Sequence, residues 1–277
     1  MKTGALLFAH NNQVYNYVAL AEWTAQNIHR HLNIPVTLVT DKNVEVSPDV
    51  FDQVIRIDSG LGSVRHFQDA NQSAVWYNDS RVQCYDLSPY DRTLVIDTDY
   101  VVASPILTLP LSSSVEFLCH KKAQAIGLDQ DWDANYFGLN RFPMSWATVM
   151  IFSKTPAVKF IFDSMKMVQR NWQHYKDLYR VGKMYYRNDY ALSIALGLYT
   201  GHSQVYSAIP WNLTTALPDH TVQQEHHRDA YMIQHQSSSG RWHSVSLESK
   251  DFHAMCKKSL GGIVEAHRRT RLSNSCL

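Results

Sequence analysis

Two carboxylates, Asp97 and Asp99, stand one residue apart at the end of an apolar run and could hold a metal ion. The apolar run Thr93–Ile96 lies before them, and residues 100–103 form a second one. Burying such charges is costly unless they are paired or bind a metal. Side chains two positions apart project to the same side of an extended backbone. The pair therefore predicts a shared site for a hard divalent cation, Mn²⁺ or Mg²⁺.

A divalent ion at such a site can hold a diphosphate and neutralise the charge on a leaving group. The pattern Asp-x-Asp is also common in solvated turns, and this is the alternative interpretation of Asp97 and Asp99. Their place after an apolar strand favours the metal site, because open α/β sheets bind ligands at the carboxyl ends of their strands.

The elements that must position these carboxylates begin with a β-α-β pattern. Short apolar runs typical of buried strands occur at residues 4–9, 36–39 and 54–57, and residues 14–31 carry apolar side chains at helical spacing. This order predicts an α/β fold with a mostly parallel, Rossmann-like central sheet flanked by helices. Right-handed crossovers bring the carboxyl ends of such strands to one edge. Five polar residues should meet there: His10, Asn11, Thr40, Asp41 and Asp97.

The later part of the chain predicts further elements of the same kind. We expect a polar loop over residues 60–71, a helix over 73–87, and strands over 115–119 and 146–152. Thr155-Pro156 predicts the start of a helix. A short helix over residues 190–196 would have Asp189 near its amino terminus, where a carboxylate is favoured, so a helix-capping role is one interpretation of Asp189.

Composition places the chain among globular proteins. Of 277 residues, 45% are hydrophobic and 18% charged, which argues against disorder. The formal net charge of +1 gives no global sign of a nucleic-acid binder, although it leaves a local basic patch open. The four cysteines form no C-x-x-C pair, so we expect free thiols in a reducing compartment.

The amino-terminal apolar run ends in His10-Asn11-Asn12 and has no small-residue cleavage site, so it predicts a first strand and not a signal peptide. The sequence has no apolar stretch long enough to span a bilayer. We therefore expect a soluble, cytoplasmic protein without a transmembrane segment.

Five motifs follow one another in an order that resembles a known family. Arg81 stands before L-V-I-D-T-D-Y, and the later motifs are residues 146–152, Asn188-Asp189-Tyr190, Pro210-Trp211-Asn212, and His253 followed by Lys257 and Lys258. The set resembles nucleotide-sugar glycosyltransferases of the GT-A fold, most closely glycosyltransferase family 8. It extends from about residue 4 to about residue 258. Trp146-Ala147-Thr148 replaces a small-residue triplet and Tyr190 replaces a glutamine, which leaves the donor sugar open.

The resemblance implies sugar transfer from a nucleotide diphosphate, most simply a UDP-sugar, to a hydroxyl acceptor. It places Asp97, Asp99 and His253 on the metal, and the imidazole slightly favours Mn²⁺. Lys257 or Lys258 would neutralise the departing diphosphate. The family's retaining outcome needs no strong enzymatic base, since the leaving phosphate can accept the proton. A buried structural histidine is the alternative for His253.

The resemblance also implies donor contacts and a division of the chain. The donor would meet Ala9, His10, Asn11, Thr40, Asp41, Arg81 and Thr98 as well as the two lysines. Arg81 would face the donor sugar or a phosphate, and Asp189 the sugar hydroxyls or the anomeric carbon; a solvated helix charge is the alternative for Arg81. We expect a single GT-A domain over residues 1–277. It would have a nucleotide-sugar half to about residue 104, an acceptor half to about 260, and a loosely packed basic tail, 261–277.

The acceptor and the class of protein stay open at this stage. A glycan, a protein and hydroxymethylated bacteriophage DNA are all compatible, and basic residues at positions 257, 258, 268, 269 and 271 could contact phosphates. A nucleotidyltransferase also uses paired carboxylates, but it would need a glycine-rich basic loop where His10-Asn11-Asn12 stands. A non-catalytic nucleotide-sugar-binding protein would keep the fold without needing the metal.

Overall fold

The computed structural model describes residues 1–275 except 59, 61, 78, 129–131, 183–184, 204 and 238, and it leaves out the side chains of 272–275. The amino-terminal elements are β1 (Thr3–Ala9), α1 (Tyr17–Leu32), β2 (Val36–Asp41), β3 (Gln53–Ile57), β4 (Ser63–Phe67), β5 (Gln72–Trp76), α2 (Cys84–Leu87) and β6 (Arg92–Ile96). The central elements are β7 (Tyr100–Val101), α3 (Thr108–Leu111), β8 (Phe117–His120), β9 (Ala123–Ala125), β10 (Tyr136–Phe137), β11 (Phe142–Pro143), β12 (Trp146–Ser153), α4 (Pro156–Arg170), α5 (Trp172–Leu178) and α6 (Asn188–Tyr199). The carboxyl-terminal elements are β13 (Leu213–Ala216), β14 (Thr221–Gln224), β15 (Ala230–Gln236), β16 (Trp242–Glu248), β17 (Phe252–Ala254) and α7 (Lys257–Ser275).

The central sheet has the strand order β3-β2-β1-β6-β12-β8. β1 pairs in parallel with both β2 and β6, and β2 pairs in parallel with β3. β12 runs antiparallel to both of its neighbours, so it alone is reversed among these six strands. Helix α1 packs on β1 and β2, and α6 packs on β12. The predicted α/β class, with a mostly parallel central sheet flanked by helices, is confirmed.

Helix boundaries follow local chemistry. The Asn16 side chain accepts the Ala19 N–H at 3.0 Å and caps the amino end of α1, which ends at Asn33 in the left-handed conformation (φ 50°). The Thr155 hydroxyl accepts the Val158 N–H at 3.3 Å, and Pro156 occupies the first turn of α4. The predicted start of this helix is therefore confirmed.

A second sheet, with the order β7-β17-β13-β9, lies beyond the carboxyl end of β6. β17 pairs antiparallel with β7, and this register places His253 opposite Tyr100. The Ala254 N–H also donates to the Asp99 carbonyl at 2.8 Å. This pairing fixes a carboxyl-terminal histidine beside the turn that carries the two aspartates.

Two sequence expectations differ from the structure. Residues 63–76 are not a loop followed by a helix, because β4 and β5 form an antiparallel hairpin that turns at Asn71 (φ 51°). Only residues 79–87 are helical there, as a 3₁₀ turn followed by α2. The prediction of a helix that begins at residue 73 is wrong. Pairing with β4 stabilises β5 as a strand, and this pairing is not visible in the periodicity of its own residues.

The carboxyl-terminal tail begins in helix α7, which packs against the fold near its start and is mostly exposed from Glu265 to Arg271. Helix α7 contacts α1 and β14, and its Leu260 and Val264 are buried. Two apolar residues four positions apart lie on one face of a helix. Burial of this face holds α7 against the fold although the segment is rich in basic residues. The domain limits at about residues 104 and 260 stay predictions.

Three cysteines, Cys84, Cys119 and Cys256, are buried free thiols, while Cys276 lies outside the described residues. Among the described residues, no helix combines the length and apolar character needed to cross a bilayer. The cytoplasmic location stays a prediction.

Candidate active site

Asp97 and Asp99 lie in a turn at the carboxyl end of β6. The Asp97 N–H donates to the Thr148 carbonyl at 2.9 Å, and the Asp97 carbonyl accepts the Tyr100 N–H at 3.0 Å. The extended backbone expected for this pair is therefore wrong, since the chain reverses between β6 and β7. The turn nevertheless aims both carboxylates into one pocket, with the Asp99 side chain 7% exposed and that of Asp97 30% exposed.

His253 completes a cluster of possible metal ligands. Its Nε2 lies 3.5 Å from Asp99 Oδ2, and one ligand atom each from Asp97, Asp99 and His253 falls within 4.8 Å of the others. A bond of about 2.1 Å separates opposite ligands by about 4.2 Å, so small movements would close the set around one ion. In the described part of the chain, the buried His253 Nδ1 has no hydrogen-bond partner. The donor set of two carboxylates and an imidazole could hold a divalent cation.

Each carboxylate also meets a cation of the protein itself. The Arg81 guanidinium contacts Asp97, and Lys257 Nζ lies 2.5 Å from Asp99 Oδ2. Burial opposes ionisation of Asp99, but Lys257 and His253 outweigh it and hold the pKa of this carboxyl well below its usual range. Burial likewise opposes the charge on Lys257, yet Asp99 raises the pKa of this amine. Asp99 and Lys257 are therefore an ion pair at neutral pH.

Arg81 makes further contacts besides the one with Asp97. It is 7% exposed, and its guanidinium also donates to the Ala147 carbonyl and, at 3.3 Å, to the Thr148 carbonyl. These bonds join the 3₁₀ turn before α2 to the reversed strand β12. Arg81 is thus a buried part of the pocket wall, and the alternative of a solvated helix charge does not describe it.

Asp189 lines the same pocket from the first turn of α6. Its Oδ1 accepts the Ala147 N–H at 2.9 Å, and its Oδ2 accepts two bonds from Arg187, at 2.7 and 3.2 Å. Burial raises the pKa of this carboxyl, but Arg187 and the Ala147 N–H outweigh that effect, so the pKa is lowered. Asp189 makes no capping bond at the start of α6, where the structure shows none from a side chain.

The predicted donor residues separate into two groups. Those that line the pocket are His10, Arg81, Thr98 and Lys257. Those that lie outside its lining are Ala9, Asn11, Thr40, Asp41 and Lys258. Thr40 donates its hydroxyl proton to the Ala9 carbonyl at 2.7 Å, and Asn11 Oδ1 accepts the Val18 N–H at 3.0 Å, so these contacts hold the local fold.

His10 connects Asp41 to the pocket. Its Nδ1 lies 3.1 Å from Asp41 Oδ2, and its Nε2 lies 3.0 Å from Ser80 Oγ, with the imidazole 1% exposed. Asp41 therefore acts on the pocket through His10, and Ser80 is a lining residue that sequence reasoning missed.

Further lining residues were also missed. The β4–β5 hairpin contributes Arg65 and Trp76, and the Arg65 guanidinium carbon lies 4.6 Å from the centroid of the Trp76 ring. Tyr17 from α1 and Arg187 line the wall as well. Residues 63–67 read Ser-Val-Arg-His-Phe and do not alternate between polar and apolar side chains, so the sequence had no clear strand signal for this hairpin.

Comparisons with known proteins give structural likeness only. No family model matches the chain, and no curated protein matches it. Solved structures that match include the apo form of the glycosyltransferase GlyE from Streptococcus pneumoniae, at 13% identity and a TM-score of 0.45 over 76% of this chain and 45% of that one. The galactosyltransferase LgtC in complex with donor and acceptor sugar analogs matches at 14% identity and a TM-score of 0.46 over 70% of both chains.

Mouse xyloside xylosyltransferase 1 matches at 11% identity and a TM-score of 0.44, over 76% of this chain and 85% of that one. The match to GlyE covers less than half of the length of that protein. These neighbours are glycosyltransferases, and the chain is similar to them in architecture.

Proposed function

We propose that the protein is a metal-dependent glycosyltransferase that moves a sugar from a nucleotide diphosphate, a UDP-sugar, to a hydroxyl acceptor. One observation carries the proposal: Asp97, Asp99 and His253 converge from two different sheets into a pocket that also holds the cations Arg81, Lys257 and Arg65. A ligand that suits this pocket must carry several negative charges. It must also bind the same divalent cation as the protein's own ligands. The diphosphate of a nucleotide sugar has both properties.

The metal ligands in this proposal are Asp97, Asp99 and His253. Mn²⁺ or Mg²⁺ bound there would supply charge neutralisation at the diphosphate. Asp99 is kept ionised by Lys257 and is thus ready to act as a ligand at neutral pH.

Lys257 is the lysine that supports the diphosphate in this proposal, in preference to Lys258. Its amine lies inside the pocket beside Asp99, while the Lys258 side chain is exposed and lines a neighbouring groove. Arg65 lies close enough to Lys257 for its charge to lower the pKa of that amine. Two cations from different elements would therefore stabilise the charge that develops on the leaving group.

The roles of Arg81 and Asp189 follow from their contacts. Arg81 fixes Asp97 and the β12 backbone, so it orients the carboxylate towards the metal and the sugar end of the donor. Both oxygens of Asp189 are occupied, and its lowered pKa makes it a weak base. A retaining transfer suits this arrangement, because the departing phosphate can accept the acceptor's proton.

The pocket must widen to admit the donor. Its cavity of about 120 Å³ is smaller than the roughly 300–1,000 Å³ typical of ligand sites. The β4–β5 hairpin carries the lining residues Arg65 and Trp76 and forms a separate two-stranded sheet, so a shift of this hairpin would enlarge the cavity. Trp76 and Tyr77 at its end would then meet the base of the nucleotide, with His10 and Ser80 beside the ribose.

The test is thermal stability across a panel of nucleotide sugars, with and without Mn²⁺. A ligand that binds only the folded protein raises its melting temperature by mass action. We expect a Mn²⁺-dependent rise with one UDP-sugar and its loss in Asp97→Asn. The matched control is Asp58→Asn, which removes a carboxylate that is 82% exposed and outside the pocket. The absence of a rise with every nucleotide sugar would contradict the proposal.

A further inference from the structure

A groove runs from the candidate active site along the seam between α1 and α7. Its inner stretch is lined by Lys257, which also lines the active-site pocket, and by Lys258 and Arg268. Its outer stretch is lined by Arg268 again, together with Arg228 and Arg271. The two stretches share Ala19, Val264 and Arg268, and Lys257 borders both the inner stretch and the active-site pocket.

Three cations of α7 lie on one side of the helix. Lys257, Arg268 and Arg271 follow helical spacing, with Gly261 and Val264 between them on the same stripe, and Lys258 lies about 100° round the helix from Lys257. At about 1.5 Å per residue, the stripe from Lys257 to Arg271 is about 21 Å long. The side chain of Arg228 extends the positive surface beyond the helix.

Three of these cations are available to a ligand. Lys258, Arg228 and Arg271 are exposed, and within the described ranges none of them lies within the 4.0 Å of an acidic group that defines an ion pair. Arg228 and Arg30 also lower the pKa of His267 in the groove wall, after the larger effect of burial. The seam therefore carries cations that form no ion pair within the described residues.

The acidic groups of the groove are mostly engaged. Glu22 is 6% exposed, and its carboxylate accepts the Ser47 N–H at 2.8 Å and lies 3.9 Å from Arg268 Nε. Glu265 is bound to Arg269 at 3.2 Å. Asp49 is exposed at the outer end.

We infer that the acceptor is a nucleic acid strand that lies along the α1–α7 groove, with its phosphates on Lys258, Arg228 and Arg271. The inference rests on the proposed function and names its acceptor class. In a duplex the phosphates of one strand are about 3.4 Å apart along the helix axis, so a strand of a few nucleotides can span a stripe about 21 Å long. An evenly spaced row of phosphates can pair with an elongated row of cations. A neutral glycan or an apolar peptide carries no negative charge that could pair with these cations.

The transfer needs only the acceptor hydroxyl and the nucleotide-sugar donor as reactants. A hydroxyl on a base at the inner end of the groove reaches the pocket beside Lys257. Its oxygen bonds to the anomeric carbon of the donor, and the bond from that carbon to the diphosphate oxygen breaks. The hydroxyl proton leaves with the released nucleoside diphosphate.

The experiment measures fluorescence polarisation of a short, fluorescein-labelled single-stranded DNA with the full chain at several salt concentrations. We compare the unaltered protein with the double variant Arg228→Gln/Arg271→Gln. The matched control is Arg170→Gln/Arg241→Gln, which removes two exposed arginines outside the groove. We expect about tenfold weaker binding in the groove variant and a salt dependence shallower by about 0.7 per lost phosphate contact. The control should bind DNA like the unaltered protein.

Three results would overturn the inference: no salt-dependent binding, equal losses in both double variants, or displacement of DNA by polyglutamate at the same charge concentration. The Mn²⁺-dependent thermal shift with a UDP-sugar, measured on the same samples without DNA, separates the two proposals. If the shift is present and DNA binding fails, the acceptor inference alone is wrong. If the shift is absent, the proposed function fails and the acceptor inference fails with it.

Discussion

Lys257 Nζ lies 2.5 Å from Asp99 Oδ2, so the carboxylate best placed to bind a metal already has a cation of the protein beside it. The lysine side chain is 13% exposed and the aspartate 7%, which excludes most of the solvent from the pair. A divalent ion at Asp99 and the amine of Lys257 compete for the same oxygen. Lys257 therefore pairs with Asp99 in the metal-free protein, and it would have to turn towards another anion if a metal ion bound to the same oxygen.

Replacing this lysine tests that competition. In Lys257→Met, we expect Mn²⁺ affinity without donor to rise by about tenfold or more, because a nearby positive charge is removed. The metal-free protein should lose about 3 kcal/mol of unfolding free energy, since Asp99 is left buried and unpaired. Calorimetric titration with Mn²⁺ and chemical denaturation in EDTA measure the two effects. The control, Lys258→Met, changes the adjacent exposed lysine, and an equal gain in Mn²⁺ affinity there would contradict the competition.

Arg65 on the β4–β5 hairpin should contribute to recognition of the diphosphate. In Arg65→Gln we expect about tenfold weaker binding of UDP and little change for uridine, because a charge-assisted bond to phosphate is lost. Competition titrations with UDP, UMP and uridine measure this difference. His66→Gln, which alters the next residue on the exposed side of the same strand, is the control. Equal losses for UDP and uridine would assign Arg65 to the base or the fold instead.

Asp189 should matter for turnover more than for donor binding. In Asp189→Asn, Oδ1 can still accept the Ala147 N–H, but an amide in place of Oδ2 cannot accept the two Arg187 bonds. We expect kcat to fall about a hundredfold with donor KM changed only a few-fold, because Arg187 and the β12 backbone are displaced at the sugar end. Steady-state kinetics with the UDP-sugar that gives the thermal shift measure both constants. A change confined to KM would place Asp189 in ground-state binding alone.

The stability of the protein should fall in mild acid because of His120. This histidine is fully buried, and in the described part of the chain neither ring nitrogen has a hydrogen-bond partner. Burial, with a smaller effect of His253, lowers its pKa from 6.5 to about 3. The unfolded chain therefore binds a proton below about pH 6.5 that the folded protein does not, and stability decreases from about pH 6.5 to pH 3 by up to ~4 kcal/mol.

The replacement His120→Leu isolates this effect. We expect a stability near that of the unaltered protein at pH 7, because two unsatisfied buried nitrogens are removed. The variant should then lose less stability than the unaltered protein as the pH falls from 6.5 to 4.5. Denaturant unfolding at several pH values measures the difference in slope. Parallel pH profiles for the two proteins would show that His120 does not titrate in this way.

Local pattern was enough to predict the central sheet. The strands β1, β2, β6 and β12 are buried, and buried strands have consecutive apolar residues that can be recognised in the sequence. The sequence also placed Asp97 and Asp99 directly after β6, and Thr155 at the start of α4. In these cases the forces that set the conformation act between residues close in the chain.

The tertiary structure alone decided which distant residues meet. His253 lies beside Asp99 through the pairing of β17 with β7, Lys257 and not Lys258 enters the pocket, and Arg65 arrives on a hairpin that the sequence did not indicate. The basic tail became one wall of a groove because Leu260 and Val264 bury against the rest of the fold. Such contacts depend on strand register and helix rotation, which are set by packing between distant segments and leave no periodic signal in the sequence.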